Sequence, residues 1–230
     1  MRLFNEDCLL TVERLAAEGV KVDALITDPP YNISKATNFT GMHARRGGSG
    51  MYYGDWDVGF DLTGWIQPAT KILKDNANVV IFNCWENLGK IAEECRRCNI
   101  DIKRCLTLNK TNPPPFNRDR VFVNNTEFAL WGIYHSRNKP TGWTFNRTDK
   151  YEKTVFNCHA QQSRFHPTTK DITVIRKLLS ILTNEGDTVA DLFMGGGTIG
   201  LACKEMNRHF IGVEIDTQYY KNACERVNFT

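Results

Sequence analysis

The chain has 230 residues, of which 41% are hydrophobic and 24% are charged, and it carries a formal net charge of +3. This length fits one α/β domain over residues 1–230, and so small a net charge does not by itself indicate a polyanionic partner. No apolar run reaches the roughly 20 residues of a membrane span and the N-terminus lacks a signal-peptide pattern, so a cytoplasmic protein without membrane contact is predicted.

The N-terminal part of the chain begins with a short strand and a helix. Residues 1–7 are partly apolar and lead to Asp7 and Cys8, after which apolar residues recur with helical spacing as far as Gly19. Asp7 is suited to cap this helix, and it is also a carboxylate at the end of a strand. The apolar run over residues 22–27 then predicts a second, buried strand.

The second strand ends in Asp28-Pro29-Pro30-Tyr31. Proline has no amide hydrogen and restricts the residue before it, so the double proline ends the strand and stiffens the turn. A carboxylate and an aromatic ring are thereby held at the carboxyl end of a strand, where open α/β sheets bind ligands. An isolated Asp-Pro pair is more simply a turn, but the motifs farther along the chain favour a site here.

The middle of the chain alternates loops with regular elements. Residues 32–60 contain six glycines without a sustained period and are predicted to form a long mobile loop. The eight cysteines lie in strand-like and helix-like segments, and the lone C-x-x-C pair of Cys95 and Cys98 falls inside a helical pattern, so no metal site is predicted. Helices are predicted over residues 61–73, capped by Asp61, and 86–98, and strands over residues 78–82, 100–108 and 126–134.

Basic residues are concentrated in two stretches that lack periodicity. Three consecutive prolines, residues 113–115, exclude regular structure in the second stretch and present Lys110 and Asn112 on a stiff loop. Such clusters are equally typical of solvated loops and of a clamp for a polyanion. The first stretch carries Lys35, Arg45 and Arg46, and the second carries Lys110, Arg118, Arg120, Arg137, Lys139 and Arg147.

The C-terminal part is predicted to contain a helix over 172–182 and then a βαβ unit with a final helix. Gly195 to Gly200 satisfy the pattern G-x-G-x-x-G after a strand over 188–193, and Glu214 ends the next strand 17 residues after Gly197. Glycines let the backbone approach a ligand and the acid can accept hydrogen bonds from ribose hydroxyls, so a nucleoside site is predicted. The 30 residues that follow Gly200 are too few for the further strands that a nucleotide-binding sheet needs. Strands that come before the glycine turn in the sequence must therefore complete the sheet, which predicts a circularly permuted order.

Several motifs together resemble one protein family. The Asp28 to Tyr31 quartet, the run from His166 to Lys170, and Asp191 to Thr198 followed by Glu214 are similar to motifs of the permuted, beta-group amino-group DNA methyltransferases. Asn109 to Pro115 and Glu127 to Trp131 also resemble this family. The likeness implies a Rossmann-like α/β fold with a seven-stranded, mostly parallel sheet, and seven strands are also predicted from the residue patterns. It further implies methyl transfer from S-adenosylmethionine, usually to N6 of adenine in double-stranded DNA.

The resemblance also implies roles for individual residues. Asp28, Pro29, Pro30 and Tyr31 would be catalytic, with Tyr31 stacked on a base flipped out of the duplex. The basic clusters and Asn112 would bind DNA, an insertion at about residues 135–165 would recognise the target, and a homodimer and a cognate restriction endonuclease are left open. The residues that would hold the cofactor are Asp7, Cys8, His166, Thr168, Lys170, Asp191, Phe193, Gly195, Gly197 and Glu214.

Other functions account for part of the sequence. Cytosine N4 methylation uses nearly the same site, often with serine in place of Asp28, and is the main alternative. A nicotinamide-dependent oxidoreductase would explain the glycine turn and a non-catalytic DNA-binding module would explain the basic loops, but neither explains both. Carbon-5 cytosine methylation needs a cysteine nucleophile, usually in Pro-Cys, and none of the eight prolines precedes a cysteine.

Overall fold

The computed structural model describes residues 1–32, 57, 59–113, 119–120, 122–137, 139–159 and 169–228. Most of the predicted loop over residues 32–60 therefore lies outside the described residues. The strands are β1 (Arg2–Phe4), β2 (Val22–Thr27), β3 (Leu73–Asn83), β4 (Ile100–Lys110), β5 (Thr126–Tyr134), β6 (Val155–Cys158), β7 (Thr188–Asp191) and β8 (His209–Val213).

The helices pack on both faces of the sheet that these strands form. None of the helices in the described ranges is long and apolar enough to cross a membrane. They are α1 (Cys8–Ala17), α2 (Ile66–Ala69), α3 (Leu88–Arg97), α4 (Ile172–Leu182), α5 (Thr198–Glu205) and α6 (Thr217–Asn228).

The strands lie in the order β1-β8-β7-β2-β3-β5-β4-β6. The strand β5 runs antiparallel to its neighbours β3 and β4, and every other pair is parallel. The predicted α/β fold with a mostly parallel sheet is therefore confirmed, whereas the circular permutation stays a prediction. Because β5 is reversed, it begins at the edge where its neighbours end.

The sheet has eight strands in the described part of the chain, so the predicted number of seven is wrong. The additional strand, β6, pairs in parallel with the end of β4, from Thr107 opposite Val155 to Lys110 opposite Cys158. It consists of four residues at a sheet edge, of which Cys158 alone is buried. So short and exposed a strand has no hydrophobic pattern to distinguish it from the surrounding loop.

Alternation along the central strands produces two apolar layers. Leu25 and Val79 face one side, against α1, α2 and α3, while Ile26 and Val80 face the other side, against α4, α5 and α6. Successive side chains of a strand point to opposite faces, and a mostly parallel sheet is covered on both. This double burial is why the strands over 22–27 and 78–82 are recognisable as apolar runs.

The helix predicted over residues 61–73 is wrong in its bounds. Asp61 accepts hydrogen bonds from the amide and hydroxyl of Thr63, which forms a turn, and the α-helix begins at Ile66 and gives way to a 3-10 turn over Thr70–Ile72. Leu73 is already extended and pairs with Val22. The end of the predicted helix therefore belongs to the sheet, although the spacing of its apolar residues is also typical of a helix.

Candidate active site

A cavity of about 340 Å³ opens at the sheet edge where β1, β2, β7 and β8 end. This volume is within the range of sites for small molecules. His166 and Thr168 lie outside the described residues, and Gly197 is set back from the cavity at the start of α5. The predicted site residues that line the cavity are Asp7, Cys8, Asp28, Pro29, Pro30, Tyr31, Lys170, Asp191, Phe193, Gly195 and Glu214.

The carboxylate of Asp28 is oriented by two donors. The phenol of Tyr31 donates a hydrogen bond of 2.7 Å to Oδ1, and the ammonium of Lys170 donates to Oδ2. Burial and the adjacent Asp28 charge raise the pKa of Tyr31, so its hydroxyl keeps its proton near neutral pH. The contacts of Asp28 with described residues leave one lone pair on each oxygen for a further donor.

Lys170 is buried among oxygen atoms instead of pointing freely into the cavity. Its Nζ lies 3.2 Å from the Tyr31 hydroxyl and 3.5 Å from Oε2 of Glu127, besides its contact with Asp28. Burial alone would lower the pKa of Lys170, but Asp28 and Glu127 raise it above its ordinary value. Lys170 was predicted to hold the cofactor, and the structure additionally joins it to the Asp28 carboxylate.

The turn after β2 is held in place by two residues that the sequence analysis did not select, Asp57 and Asn87. Asp57 is 1% exposed, and its Oδ1 accepts hydrogen bonds of 2.7 and 2.8 Å from the amides of Tyr31 and Asn32. The side-chain amide of Asn87 donates at 2.7 Å to the Tyr31 carbonyl. Because Asp57 follows a long non-periodic stretch, its sequence position carries no signal of this contact.

Asp191 joins the ends of β2 and β7. Its Oδ1 accepts hydrogen bonds from the Thr27 hydroxyl at 2.8 Å and the Phe193 amide at 3.1 Å, and Thr27 in turn accepts from the Leu192 amide. Burial raises the pKa of Asp191 to about 7, with a smaller contribution from the nearby Asp28 charge. Asp191 therefore shapes the turn as well as lining the cavity.

The glycine turn and Glu214 form one unit. Gly195 and Gly197 have φ angles of 48° and 73°, in the left-handed region that favours glycine. Glu214 accepts hydrogen bonds of 2.9 Å from the Gly195 amide and 2.8 Å from the Asp216 amide. Burial raises the pKa of Glu214. A carboxylate has about four lone-pair sites, so these contacts leave acceptor capacity toward the cavity.

Comparison with known proteins identifies the family. Residues 22–225 match the family model for N6/N4 methyltransferases, described as DNA methylase. The chain belongs to this family. The predicted function as an S-adenosylmethionine-dependent DNA methyltransferase is thereby confirmed, and the substrate of this methylase is DNA.

Individual relatives agree with this assignment. The Type II methyltransferase M2.DpnII of Streptococcus pneumoniae is 27% identical, over 99% of this chain and 89% of its own. M2.LlaDCHI of Lactococcus lactis subsp. cremoris, also named a Type II methyltransferase, is 26% identical over 98% and 88%.

Solved structures match over nearly the whole chain. M1.HpyAVI, solved in complex with SAM, is 32% identical with a TM-score of 0.78, and the match covers 98% of each chain. The cytosine-N4-specific PvuII DNA methyltransferase has a TM-score of 0.72 over 97% of this chain and 85% of its own, but at 13% identity this likeness concerns the fold alone.

The part of the cavity beside β1 and β7 has both polar and aromatic walls. Asp7 caps α1 as predicted, since its carboxylate accepts from the Leu9 amide at 2.7 Å. Burial raises the pKa of Cys8 to about 12, so its thiol stays protonated. The ring of Phe193 contacts Phe60 and Trp65 edge to face, with centroids 5.4 and 5.2 Å apart. These contacts hold the Phe193 ring in place just before the glycine turn.

The structure separates the predicted DNA-binding residues into two groups. Lys110, Asn112 and Arg120 lie at the end of β4 or between β4 and β5, at the edge of the sheet where the cavity opens, and Lys110 pairs with Glu127. Arg137, Lys139 and Arg147 follow the end of the reversed strand β5, at the opposite edge. The two edges are separated by the length of β5, about 30 Å for nine residues. Lys35, Arg45, Arg46 and Arg118 lie outside the described residues.

Neighbouring contacts confirm the position of the second group. The amide of Ser136 donates to Asp75, near the start of β3, and the side chain of Asn146 donates to the Thr183 carbonyl after the end of α4. Phe145, in the same stretch, packs on the sheet, since its ring lies 5.4 Å from that of Trp131. Its side chain therefore contributes to packing.

Two exposed aromatic residues lie instead at the edge where the cavity opens. Trp85, 67% exposed, follows β3, and Phe122, fully exposed, precedes β5. The turn that carries Trp85 is tied to the catalytic turn through Asn87, which contacts Tyr31. An apolar residue in a turn has no periodicity, so neither ring could be selected from the sequence.

Proposed function

We propose that this methylase transfers the methyl group of S-adenosylmethionine to the exocyclic N6 amine of an adenine flipped out of double-stranded DNA. The observation that carries the proposal is that one cavity is lined both by the oriented Asp28 carboxylate and by the Glu214 and glycine-turn unit. An acceptor for an amine and an acceptor for a ribose thus face the same space. A positioned pair of reactants gains much of its rate from proximity alone.

The residues around the glycine turn suit the cofactor. Glu214 offers remaining lone pairs to ribose hydroxyls, and the backbone of Gly195 approaches the cavity without a side chain. Asp7 and Cys8 line the same wall beside the end of β1. When bound, S-adenosylmethionine supplies an electrophilic methyl group on a sulfonium.

Asp28 is positioned to make the exocyclic amine of the target base more nucleophilic. The lone pair of an exocyclic amine is delocalised into the base, which makes the nitrogen planar and poorly nucleophilic. Hydrogen bonds from the amine to Asp28 and to the Pro29 carbonyl favour a tetrahedral nitrogen, whose lone pair then points away from the ring. Tyr31 fixes the carboxylate by its hydroxyl and presents its ring to the flipped base.

The experiment is methylation of duplex DNA by the purified chain, with hydrolysis and mass spectrometry of the nucleosides. N6-methyladenine is expected, and N4-methylcytosine as the product would favour the alternative amine target. Asp28→Ala is expected to lower the rate by at least roughly a hundred-fold while calorimetry shows unchanged cofactor affinity. Activity of Asp28→Ala within a few-fold of wild type would contradict the assignment.

A matched control for Asp28→Ala is Asp23→Asn. Asp23 lies on the same strand but at the opposite end, where its carboxylate contacts Lys74 at 2.7 Å and the Thr188 amide at 2.9 Å. Loss of these contacts perturbs folding without reaching the cavity. Methylation by Asp23→Asn is therefore expected to match wild type at a temperature where the variant is folded.

We also propose the DNA-binding surface and the cellular setting. Lys110, Asn112, Arg120, Trp85 and Phe122 share the catalytic edge, where phosphate contacts and base stacking suit DNA. The names of the Type II relatives support action in the cytoplasm beside a cognate restriction endonuclease. Methylation of the host genome by the expressed chain, sequenced at single-base resolution, reports the recognition sequence, and light scattering reports whether a homodimer forms.

A further inference from the structure

Behind the Asp28 carboxylate lies a row of alternating charges. Lys170 contacts Asp28 and Glu127, and the second oxygen of Glu127 contacts Lys110. The order is therefore anion, cation, anion and cation, leading from the cavity wall to the loop after β4. Lys170 is the most buried member, with 8% of its side chain exposed, whereas Glu127 and Lys110 are each 24% exposed.

Sheet pairing places the row. Glu127 is the second residue of β5 and lies opposite Leu108 of β4. Lys110, two residues after Leu108, is on the same face, in the diagonal position from which long side chains reach each other across strands. The antiparallel pairing of these two strands thus delivers a carboxylate and an ammonium to the catalytic edge together.

Three oxygen-bearing side chains surround the ammonium of Lys170. It donates hydrogen bonds to Asp28 and Tyr31 and forms an ion pair of 3.5 Å with Glu127. Asp28 and Tyr31 face the target amine in the proposed reaction, whereas Glu127 binds Lys170 from the side of the strand. Glu127 is thus the partner that can hold Lys170 while the other two engage substrate.

We propose that Glu127 is a positioning residue for methyl transfer, which holds the Lys170 ammonium so that Lys170 orients Asp28 with its remaining lone pairs toward the target amine. This inference rests on the proposed role of Asp28. Glu127 borders the cavity, and in this proposal its carboxylate acts through Lys170, which it contacts.

Charge gives Glu127 a second effect on the reaction. When the carbon–sulfur bond of the sulfonium breaks and the carbon–nitrogen bond forms, a neutral thioether leaves and the positive charge passes to the amine nitrogen, which then loses a proton to water. The Lys170 ammonium opposes this charge, and the neighbouring Asp28 balances it. Glu127 adds a second anion beside Lys170, and its compensating partner Lys110 is farther along the row. Low-dielectric surroundings strengthen such effects relative to water.

Glu127 stays ionised in this setting. Burial alone raises its pKa, but the Lys170 and Lys110 ammonium groups outweigh burial and hold the pKa of Glu127 below its ordinary value. A neutral glutamine at this position keeps the shape of the side chain and removes the charge. Glu127→Gln is therefore the informative variant.

The test compares Glu127→Gln with wild type and with Asp23→Asn, whose carboxylate is also 24% exposed and paired with a lysine. Single-turnover methylation is expected to slow roughly ten- to a hundred-fold in Glu127→Gln, with unchanged affinity for cofactor and DNA. Asp23→Asn is expected to keep the wild-type rate. A rate for Glu127→Gln within two-fold of wild type would overturn the inference, as would a parallel loss of cofactor affinity, which marks a merely structural role.

Crystal structures of wild type and Glu127→Gln supply a readout that does not depend on activity. The Lys170 ammonium is expected to leave its position beside Asp28 when Glu127 loses its charge, and an unmoved Lys170 would overturn the inference. Failure of the wild-type chain to methylate adenine would instead refute the proposed function. The two failures are thus distinguishable.

Discussion

Asp191→Asn tests whether a buried carboxyl group beside the cavity is neutral in the folded protein. Asp191 is 2% exposed, and the Asp28 and Glu214 charges lie near it. Burial raises its pKa to about 7 from an ordinary value of 3.8. Asparagine retains an oxygen that can accept from Thr27 and the Phe193 amide, but it cannot ionise. The substitution therefore removes the titration and keeps the main hydrogen bonds.

The sign of the pH effect follows from the raised pKa. Between about pH 4 and pH 7 the folded protein keeps the Asp191 proton that the unfolded chain has lost, so the free energy of unfolding falls as the pH rises through this window. The full shift corresponds to roughly 4 kcal/mol, present below pH 4 and lost above pH 7. The Asp191→Asn variant cannot ionise at this position, so it does not lose this free energy of unfolding. Its stability relative to wild type therefore increases as the pH rises.

Urea unfolding at a series of pH values measures the effect. The difference in unfolding free energy between Asp191→Asn and wild type is expected to rise by roughly 4 kcal/mol from pH 4 to pH 8. Titrations of other groups cancel in this difference. A difference constant within about 0.5 kcal/mol would show that Asp191 is ionised in both states and refute the reasoning. Asp191→Ala, which loses the acceptor at every pH, is expected to be less stable than Asp191→Asn throughout.

Three further substitutions test the turns around the cavity. Glu214→Ala is expected to weaken S-adenosylmethionine binding roughly ten- to a hundred-fold in calorimetry, and unchanged affinity would contradict its role at the ribose. Asp57→Ala leaves the Tyr31 amide without its acceptor and is expected to cost about 1–3 kcal/mol in urea unfolding; a cost near zero would mean that the turn is held by other contacts. Gly197→Ala is expected to lower the melting temperature, because φ is 73° and an added Cβ would lie 3.0 Å from α6. The control is Gly89→Ala, which is expected to raise the melting temperature because Gly89 lies in α3 with open space around it.

The residues that follow parallel strands could be predicted from the sequence. Asp28, Asp191 and Glu214 each come at or just after the end of a buried apolar run, and parallel strands bring such ends to one edge of the sheet. The glycine turn could be predicted for the same reason, since its spacing from a strand and a helix is local information. These predictions needed the direction of the strands but not the packing of side chains.

The contacts between these residues could not be predicted. Lys170 was assigned to the cofactor because its motif resembles a cofactor-flanking segment, yet its strongest contacts are with Asp28 and Glu127. Asp57 contacts the catalytic turn from a stretch without pattern. A side chain that contacts a distant residue through a loop leaves no periodic signal in the sequence. The sequence therefore shows which chemical group the side chain carries, but not which residue it contacts.

The reversal of β5 determines the positions both of one predicted DNA-binding cluster and of Glu127. A strand that runs against its neighbours starts at the edge where they end, so Glu127, its second residue, lies at the cavity, while Arg137 and Arg147, which follow it, lie at the far edge. One of the basic clusters that were predicted to bind DNA therefore lies on the side of the sheet away from the cavity. The sequence analysis assigned no role to the carboxylate that reaches Lys170, because Glu127 is found at the beginning of a strand and not after its end.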